Sequence, residues 1–216
     1  MRFSSKLTLL VATRLSPFFY GGTSFADAGH LIQSRTSSGG DCSSKGIPFA
    51  TLPESKLLSL TAIPVTKYNT TDATGAQTFI DFCNVTITYT HMGWNDSITV
   101  TVWLPQNDWT GRFVGVGGGG WSTRPDDSAL AAEVVAGRSA AITDGGHGRT
   151  QDTASWALDS KNNVNLLLLQ DFASVSLNDA SIIGKAVTKS FYGQKPHHSY
   201  WNGCSTGGRQ GHMMAS

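Results

Sequence analysis

The sequence predicts an α/β protein with a mostly parallel sheet, an N-terminal antiparallel hairpin and flanking helices. Short apolar runs alternate with helical segments from residue 112 onward, an order that places helices on both faces of a parallel sheet. Before them, two runs of alternating β-branched and aromatic residues are separated by the turn residues "MGWN". Charged residues make up only 14% of the 216 residues and the net charge is +1, so nothing favours a nucleic-acid partner.

The predicted elements follow in chain order. Residues 79–91 and 96–105 form the hairpin, whose second strand ends at Pro105 because proline cannot donate to a sheet ladder. The runs "GRFVGVG" and "SAAIT" predict buried strands, with a short helix at "ALAAEVVAG" between them. One long helix is predicted over residues 162–193, since apolar side chains recur there at helical spacing and Gly193 can end it. The last predicted strand is "HSYWNGC".

The first 28 residues are typical of a signal peptide. A basic start and an apolar run precede Ala26-Asp27-Ala28, which has the small-residue cleavage pattern. An ordinary unstructured start, or a mis-assigned first exon, is the alternative interpretation of these residues. Residues 29–41 are rich in Ser and Gly and predict a flexible lead-in, so that the folded domain covers residues 42–216.

Three sequons agree with a secreted protein. Asn69, Asn84 and Asn95 each begin an N-glycosylation acceptor pattern, although such patterns also arise by chance. No apolar run approaches the roughly 20 residues that a membrane span requires, so no membrane partner is expected.

The three cysteines predict at most one disulfide within the sequence. Cys42 and Cys83 flank a long segment and could close it, which leaves Cys204 unpaired in an oxidising compartment. Three reduced, buried thiols are the alternative. No metal-ligating residues and no cofactor are predicted in this segment.

The pentapeptide Gly203-Cys204-Ser205-Thr206-Gly207 matches the G-x-S-x-G nucleophile elbow. The pattern alone is weak, but here it directly follows a predicted strand and precedes a segment able to form a helix, as the elbow requires. Gly203 and Gly207 would permit close packing of strand against helix around a strained serine. Ser205 is therefore the candidate nucleophile, and the Thr206 N–H is a candidate donor to an oxyanion.

A glycine-rich loop at "GVGGGGW" supplies the second predicted donor. In the α/β-hydrolase plan a loop in this position contributes an oxyanion N–H, and Gly117 and Gly118 are the candidates. The same run satisfies the dinucleotide-binding pattern G-x-G-x-x-G over residues 115–120, which makes a Rossmann-type cofactor site the rival hypothesis. That hypothesis requires a helix to begin within the glycines, whereas residues 121–127 intervene here. Glycine-rich turns without chemistry are the third interpretation.

Three motifs in one order, "GRFVGVGGGGW", "AAITDGGHGR...DTASWALD" and "YWNGCSTGGRQG", resemble the tannase and feruloyl esterase family of secreted serine esterases. The resemblance covers roughly Cys42 to the last residue. It implies an α/β-hydrolase core, Ser205 as nucleophile, Gly117 or Gly118 with Thr206 as oxyanion donors, and feruloyl or galloyl esters as small aromatic substrates. It also implies that Cys204 pairs with a cysteine beside the catalytic histidine, and that an inserted lid domain often binds calcium.

The resemblance also implies that part of the machinery is absent. The family's lid, catalytic Asp and catalytic His follow the position at which this sequence ends, and only His212 follows the elbow here. In α/β-hydrolases the acid and the His come after the Ser in the chain, so the earlier histidines, including His147, have the wrong order for the base. We therefore expect an N-terminal fragment of a carboxylic ester hydrolase that is inactive alone, with a non-catalytic truncated relic as the alternative.

Overall fold

The computed structural model describes residues 38–215. The predicted signal peptide, residues 1–28, lies outside this range, as do residues 29–37 of the predicted lead-in. At the end of that lead-in, the backbone N–H groups of Gly39 and Gly40 donate to the carbonyl oxygens of Gln106 and Phe191 over 2.8 Å and 2.9 Å. These two bonds fix the start of the described chain on the folded domain.

The described chain forms eight strands and four α-helices. The strands are β1 (Ser55–Thr71), β2 (Gln77–His91), β3 (Ile98–Pro105), β4 (Arg112–Val116), β5 (Ser139–Thr143), β6 (Leu158–Ser160), β7 (Asn163–Val164) and β8 (His198–Asn202). The helices are α1 (Asp127–Val135), α2 (Leu166–Ala173), α3 (Val175–Tyr192) and α4 (Thr206–Ala215).

The main sheet has six strands in the order β1-β2-β3-β5-β4-β8. Its first three pairings, β1–β2, β2–β3 and β3–β5, are antiparallel, and only β5–β4 and β4–β8 are parallel. The α/β class and flanking helices are confirmed, but the prediction of a mostly parallel sheet is wrong for the described residues. The turns between β1, β2 and β3 are too short for the crossover that parallel pairing needs, so these strands can only pair antiparallel.

The first strand was not predicted. β1 lies at the edge of the sheet, and most of its side chains are exposed, so its sequence lacks the alternation that marks a half-buried strand. It also contains Pro64, which an edge strand tolerates because one side of its backbone needs no ladder bond. Near Lys67, whose φ is 54°, the register with β2 shifts.

Helices cover both faces of the sheet, as the alternating pattern predicted. On one face Val85 and Ile87 of β2 pack with Ile183 and Val187 of α3 in a buried cluster. On the other face α1 packs against the sheet through residues that include Leu130. Burial of this kind stabilises the fold by about 25 cal/mol per Å² of apolar surface.

The single helix predicted over residues 162–193 is two helices. Asn165 caps α2 by accepting from the Leu168 N–H over 3.0 Å, and Gly193 ends α3 in the left-handed conformation at φ 69°. Between them Ser174 adopts φ −156°, and the two helix axes differ by 51°. Among the described residues no single helix is long and apolar enough to cross a membrane, and this bent pair meets that test only jointly.

One disulfide joins the start of the folded domain to β2. Cys42 and Cys83 are bonded with a Cα–Cα distance of 5.6 Å, which confirms the pairing that the sequence allowed. The loop that it closes stabilises the fold by reducing the freedom of the unfolded chain. Cys204 is exposed and is the free cysteine of the described range.

Candidate active site

Ser205 lies at the junction between β8 and α4. Its φ is 56°, a left-handed conformation that a non-glycine residue adopts only under strain, and its side chain is exposed. The residue therefore has the strand, sharp turn and helix around it that the G-x-S-x-G pattern predicted.

The glycines of the elbow allow backbone to pack on backbone. A Cβ atom on Gly203 would lie 2.6 Å from the Gly207 carbonyl, and one on Gly207 would lie 2.8 Å from the Gly118 oxygen. A Cβ atom on Gly117 would in turn lie 2.6 Å from the Gly207 Cα. The structure thus brings the glycine loop into direct contact with the first turn of α4.

The two backbone donors predicted in the loop are already bonded to other acceptors. The Gly117 N–H donates to the Asn202 carbonyl oxygen over 2.9 Å, which extends the pairing of β4 with β8. The Gly118 N–H donates to the Gln210 side-chain oxygen over 2.9 Å in a fully buried contact. Among residues 38–215, the next loop amide, that of Gly119, has no hydrogen-bond partner and is exposed.

A further hydrogen bond holds the loop beside the elbow. The Thr206 hydroxyl donates to the Gly120 carbonyl oxygen over 2.5 Å. Gln151 accepts from the Trp121 N–H over 2.8 Å and donates to the Gly119 carbonyl oxygen over 3.3 Å. The loop conformation is therefore fixed from two sides, while the Gly119 N–H stays open.

Two side chains of α4 support the elbow, and sequence reasoning did not identify either. Gln210, besides accepting from Gly118, donates to the Thr123 carbonyl oxygen over 3.3 Å. Arg209 donates to the carbonyl oxygens of Phe172 and Ala173 over 2.9 Å each and stacks on the Phe172 ring. Burial lowers the pKa of Arg209. Both residues stand in the quoted run "STGGRQG", but a local pattern does not reveal which distant carbonyls they reach.

Aromatic side chains line the region next to the elbow. Trp121 is 53% exposed, and its ring lies 6.0 Å from that of Phe172. Behind them His147 stacks on Trp156 at 4.1 Å. Trp121 directly follows Gly120, whose carbonyl oxygen accepts from Thr206, so its backbone lies beside the elbow.

No histidine of the described chain is hydrogen-bonded to Ser205. The ring nitrogens of His147 lie 3.1 Å and 3.0 Å from the carbonyl oxygens of Gly145 and Trp121, so this residue orders the loop. His212 is exposed on α4.

The three sequons differ in accessibility. Asn69 and Asn95 are exposed, whereas Asn84 is half-buried within β2 and its side-chain oxygen is buried without a partner. Glycosylation at these positions stays a prediction.

The structure does not favour a dinucleotide site at the glycine pattern of residues 115–120. Helix α1 begins at Asp127, well after Gly120, so the helix that follows the glycines in the chain does not begin within them, as the dinucleotide pattern requires. A Cβ atom on Gly115 would lie 2.6 Å from the Trp201 ring. The small residues therefore permit packing against β8 and α4.

A family comparison agrees with this geometry. The model of the family described as "Tannase and feruloyl esterase" matches residues 83–216. The chain belongs to the tannase and feruloyl esterase family. A probable feruloyl esterase of Arthroderma benhamiae is 47% identical over 142 residues, which cover 64% of this chain and 26% of that protein. A tannase of Aspergillus oryzae is 35% identical over 159 residues, covering 71% of this chain and 26% of that one.

Solved structures of this family have the same fold. The tannin acyl hydrolase of Aspergillus niger superposes with a TM-score of 0.69 at 29% identity, covering 79% of this chain and 32% of that one. Feruloyl esterase B of Aspergillus oryzae superposes with a TM-score of 0.58 at 28% identity, covering 74% and 31%. The chain thus spans about a quarter to a third of the length of its tannase and feruloyl esterase relatives.

Proposed function

We propose that this chain contributes the nucleophile and the oxyanion donors of a carboxylic ester hydrolase. The observation that carries the proposal is the strained, exposed Ser205 between β8 and α4, in backbone contact with a glycine loop. This arrangement supports the assignment of the sheet to the N-terminal part of an α/β-hydrolase core, with residues 42–216 as its first segment.

The reaction would pass through an acyl-enzyme. The Ser205 hydroxyl attacks the ester carbonyl, its proton passes to a base, and the alcohol leaves with a proton from that base. Water then attacks the acyl-enzyme, which releases the acid and restores the serine hydroxyl. Each tetrahedral intermediate places a negative oxygen between the glycine loop and the turn at Ser205, where backbone N–H groups can stabilise it.

We assign the oxyanion donors to the N–H groups of Thr206 and Gly119. Thr206 is the first residue of α4, so its N–H has no acceptor within the helix and lies at the positive end of the helix dipole. Gly119 replaces the sequence-predicted Gly117 and Gly118, because both of those amides already donate to protein oxygens. Removal of one such donor typically costs about 2.7–4 kcal/mol of transition-state stabilisation.

The catalytic base and acid are proposed to come from residues outside this sequence. No described histidine is bonded to Ser205, and without a base the hydroxyl stays protonated and weakly nucleophilic. The 216-residue chain alone should therefore be essentially inactive. In the complete enzyme, the exposed Cys204 would be tied by a disulfide to the region of the catalytic histidine.

Aromatic acyl groups are the proposed substrates. Relatives of the chain carry the names feruloyl esterase and tannase, and the exposed Trp121 indole beside the elbow can stack on a hydroxycinnamoyl or galloyl ring. Secretion is supported by the Cys42–Cys83 disulfide, since disulfides persist in oxidising compartments. Calcium, if the complete protein binds it through a lid domain, would lie outside this chain.

The test uses a fused enzyme, in which this chain is followed by the part of the Arthroderma benhamiae relative that lies beyond its matched segment. The fused enzyme should hydrolyse methyl ferulate or methyl gallate, and the 216-residue chain should not. Gly119→Pro, which removes the N–H, should lower kcat by roughly 10²–10³-fold. Gly119→Ala keeps the N–H, and its added Cβ atom would have no other atom within 4 Å, so this variant is the matched control. Equal rates for the two variants would contradict the donor assignment.

A further inference from the structure

A buried group of ionisable side chains lies away from the elbow, between the β2–β3 turn and helices α2 and α3. It consists of His91 at the end of β2, Asp96 in the following turn, Asp171 on α2 and Asp179 on α3. None of the four is more than 8% exposed. Buried charges require partners, so the way in which these groups satisfy one another is informative.

His91 is held between two carboxylates. Its Nδ1 lies 2.6 Å from Asp96 Oδ2, and its Nε2 lies 3.0 Å from Asp179 Oδ2. Asp179 also accepts from the Tyr89 hydroxyl over 2.9 Å, and Asp96 accepts from the Thr90 hydroxyl over 2.7 Å. Asp96 and Asp179 are thus well supplied with donors.

Asp171 has no hydrogen-bond donor of this kind. Its side chain is fully buried, and among the described residues no N–H or O–H group of another side chain or of the backbone donates to its oxygens; the group that faces it is the Asp96 carboxyl. One ligating atom each from Asp171, Asp96 and His91 lie within 4.8 Å of one another. An unpaired carboxylate facing a second carboxylate is costly, unless a positive charge lies between them.

We propose that His91, Asp96 and Asp171 bind one divalent transition-metal ion, Zn²⁺ or Mn²⁺, in the interior between the β2–β3 turn and α2. The ion supplies the positive charge that Asp171 lacks and takes the place of the proton between His91 Nδ1 and Asp96. The three ligating atoms, which lie within 4.8 Å of one another, would then each lie at the ~2.0–2.2 Å from the ion that Zn²⁺ requires of nitrogen and carboxylate oxygen.

Asp179 has the role of an outer partner in this site. A metal-bound histidine almost always donates its other ring N–H to a carboxylate or carbonyl oxygen, which fixes the tautomer and the ring orientation. Here His91 Nε2 lies 3.0 Å from Asp179, and the Tyr89 hydroxyl holds that carboxylate in place. This arrangement leaves Nδ1, on the side of Asp96, as the ligating nitrogen.

The ligand chemistry selects the class of ion. Imidazole nitrogen suits Zn²⁺ and other transition metals, and carboxylates accommodate Mn²⁺ as well. Ca²⁺ prefers six to eight oxygen ligands, and Mg²⁺ keeps several waters, neither of which a buried site with one imidazole provides. The site is distinct from any calcium site in a lid domain, because all its ligands belong to this chain.

The site would join the β2–β3 turn to the helix that supports the elbow. Phe172, next to Asp171, accepts a hydrogen bond from Arg209 of α4 through its carbonyl oxygen. A bound ion would therefore hold α2 at Asp171, next to the residue whose carbonyl oxygen bonds the nucleophile helix. Its loss should loosen α2 first.

The test is metal content and thermal stability of the 216-residue chain. After treatment with a chelator, the chain is incubated separately with Zn²⁺, Mn²⁺, Ca²⁺ and Mg²⁺, dialysed, and analysed by inductively coupled plasma mass spectrometry and thermal unfolding. We expect one equivalent of Zn²⁺ or Mn²⁺ and a higher Tm. Co²⁺ substitution of the unmodified chain should give visible absorption bands typical of a nitrogen ligand, a measurement that needs no variant.

Three variants separate the site from adventitious binding. Asp171→Asn should weaken metal binding by at least ~100-fold, and Asp179→Asn by about 10–100-fold. Asp159→Asn, at an exposed position on β6, should change nothing. In chelator, Asp171→Asn should be at least as stable as the parent, because it removes a buried carboxyl group that faces a second carboxyl group. The proposal would be overturned if the chain retained no ion, if it bound only Ca²⁺ or Mg²⁺, or if Asp171→Asn bound the ion as tightly as the parent chain does. An infrared band of a protonated carboxyl in the metal-treated parent that Asp171→Asn removes would also overturn it.

Discussion

Replacement of Gly117 by alanine tests the backbone contact between the glycine loop and the elbow helix. A Cβ atom at this position would lie 2.6 Å from the Gly207 Cα, 2.7 Å from Gln210 Oε1 and 3.0 Å from the Gly207 carbonyl oxygen. Favourable carbon contacts begin near ~3.5 Å, so two of these neighbours are backbone atoms about 0.5–0.9 Å too close. Neither can move without displacing α4 or β4.

The expected cost follows from overpacking. An extra methyl group in a well-packed interior typically costs about 1–3 kcal/mol, and the upper part of that range applies where the obstacle is backbone. We expect Gly117→Ala to lower the free energy of unfolding by about 3 kcal/mol. The measurement is urea unfolding of the 216-residue chain followed by circular dichroism, with linear extrapolation to water.

Gly46→Ala is the matched control for this experiment. A Cβ atom on Gly46 meets no atom within 4 Å, and Gly46 has no left-handed backbone angle. Its replacement should therefore change the free energy of unfolding by less than about 1 kcal/mol, through the unfolded chain alone. If Gly117→Ala were as stable as Gly46→Ala, the loop and the elbow would not be in contact, and the reasoning would be refuted.

Three further predictions concern Gln210 beside the elbow, the buried Asp171 and the three sequons. Gln210→Ala leaves the Gly118 N–H buried without an acceptor and should lower the free energy of unfolding in urea by about 1–3 kcal/mol; no change would contradict the role of Gln210. In the presence of a chelator, the free energy of unfolding should fall by up to ~1.4 kcal/mol for each unit by which the pH rises between about pH 4 and pH 7. Burial raises the pKa of Asp171 in the folded chain to about 7, so in this pH range the folded chain keeps a proton that the unfolded chain loses. Asp171→Asn should flatten the pH profile, and an unchanged slope would contradict this explanation. In a secretory host, peptide mapping should find glycans on the exposed Asn69 or Asn95 but not on Asn84, whose side-chain oxygen is buried; occupancy at Asn84 would show that β2 is wrongly placed.

The parts of the fold that the sequence predicted are those with a local signature. Strand β5 is fully buried, β4 is buried except at Arg112, and β8 leads directly into the elbow pentapeptide. The exposed edge strand β1 has no such signature, because its position depends on pairing with β2 rather than on its own burial. The break at Ser174 was also not predicted, since the apolar spacing of α2 continues into α3.

The candidate site was predictable to the level of motifs but not of single amides. The spacing of glycines around Ser205 indicated an elbow, and the glycine loop was expected beside it. Which loop amide is free depends on hydrogen bonds to Asn202 and Gln210, and those form only when the sheet and α4 are assembled. The proposed metal ligands His91, Asp96 and Asp171 could not be predicted from spacing, because Asp171 lies 80 positions after His91 in the sequence and on a different element.

The most direct test of Ser205 as the nucleophile is covalent labelling of the fused enzyme. After reaction with a fluorophosphonate, tryptic peptides are sequenced by mass spectrometry. We expect a single adduct on Ser205, and we expect Ser205→Ala to remove both the adduct and methyl ferulate hydrolysis, by roughly 10³-fold or more in kcat. An adduct on another residue, or hydrolysis that survives in Ser205→Ala, would contradict the account.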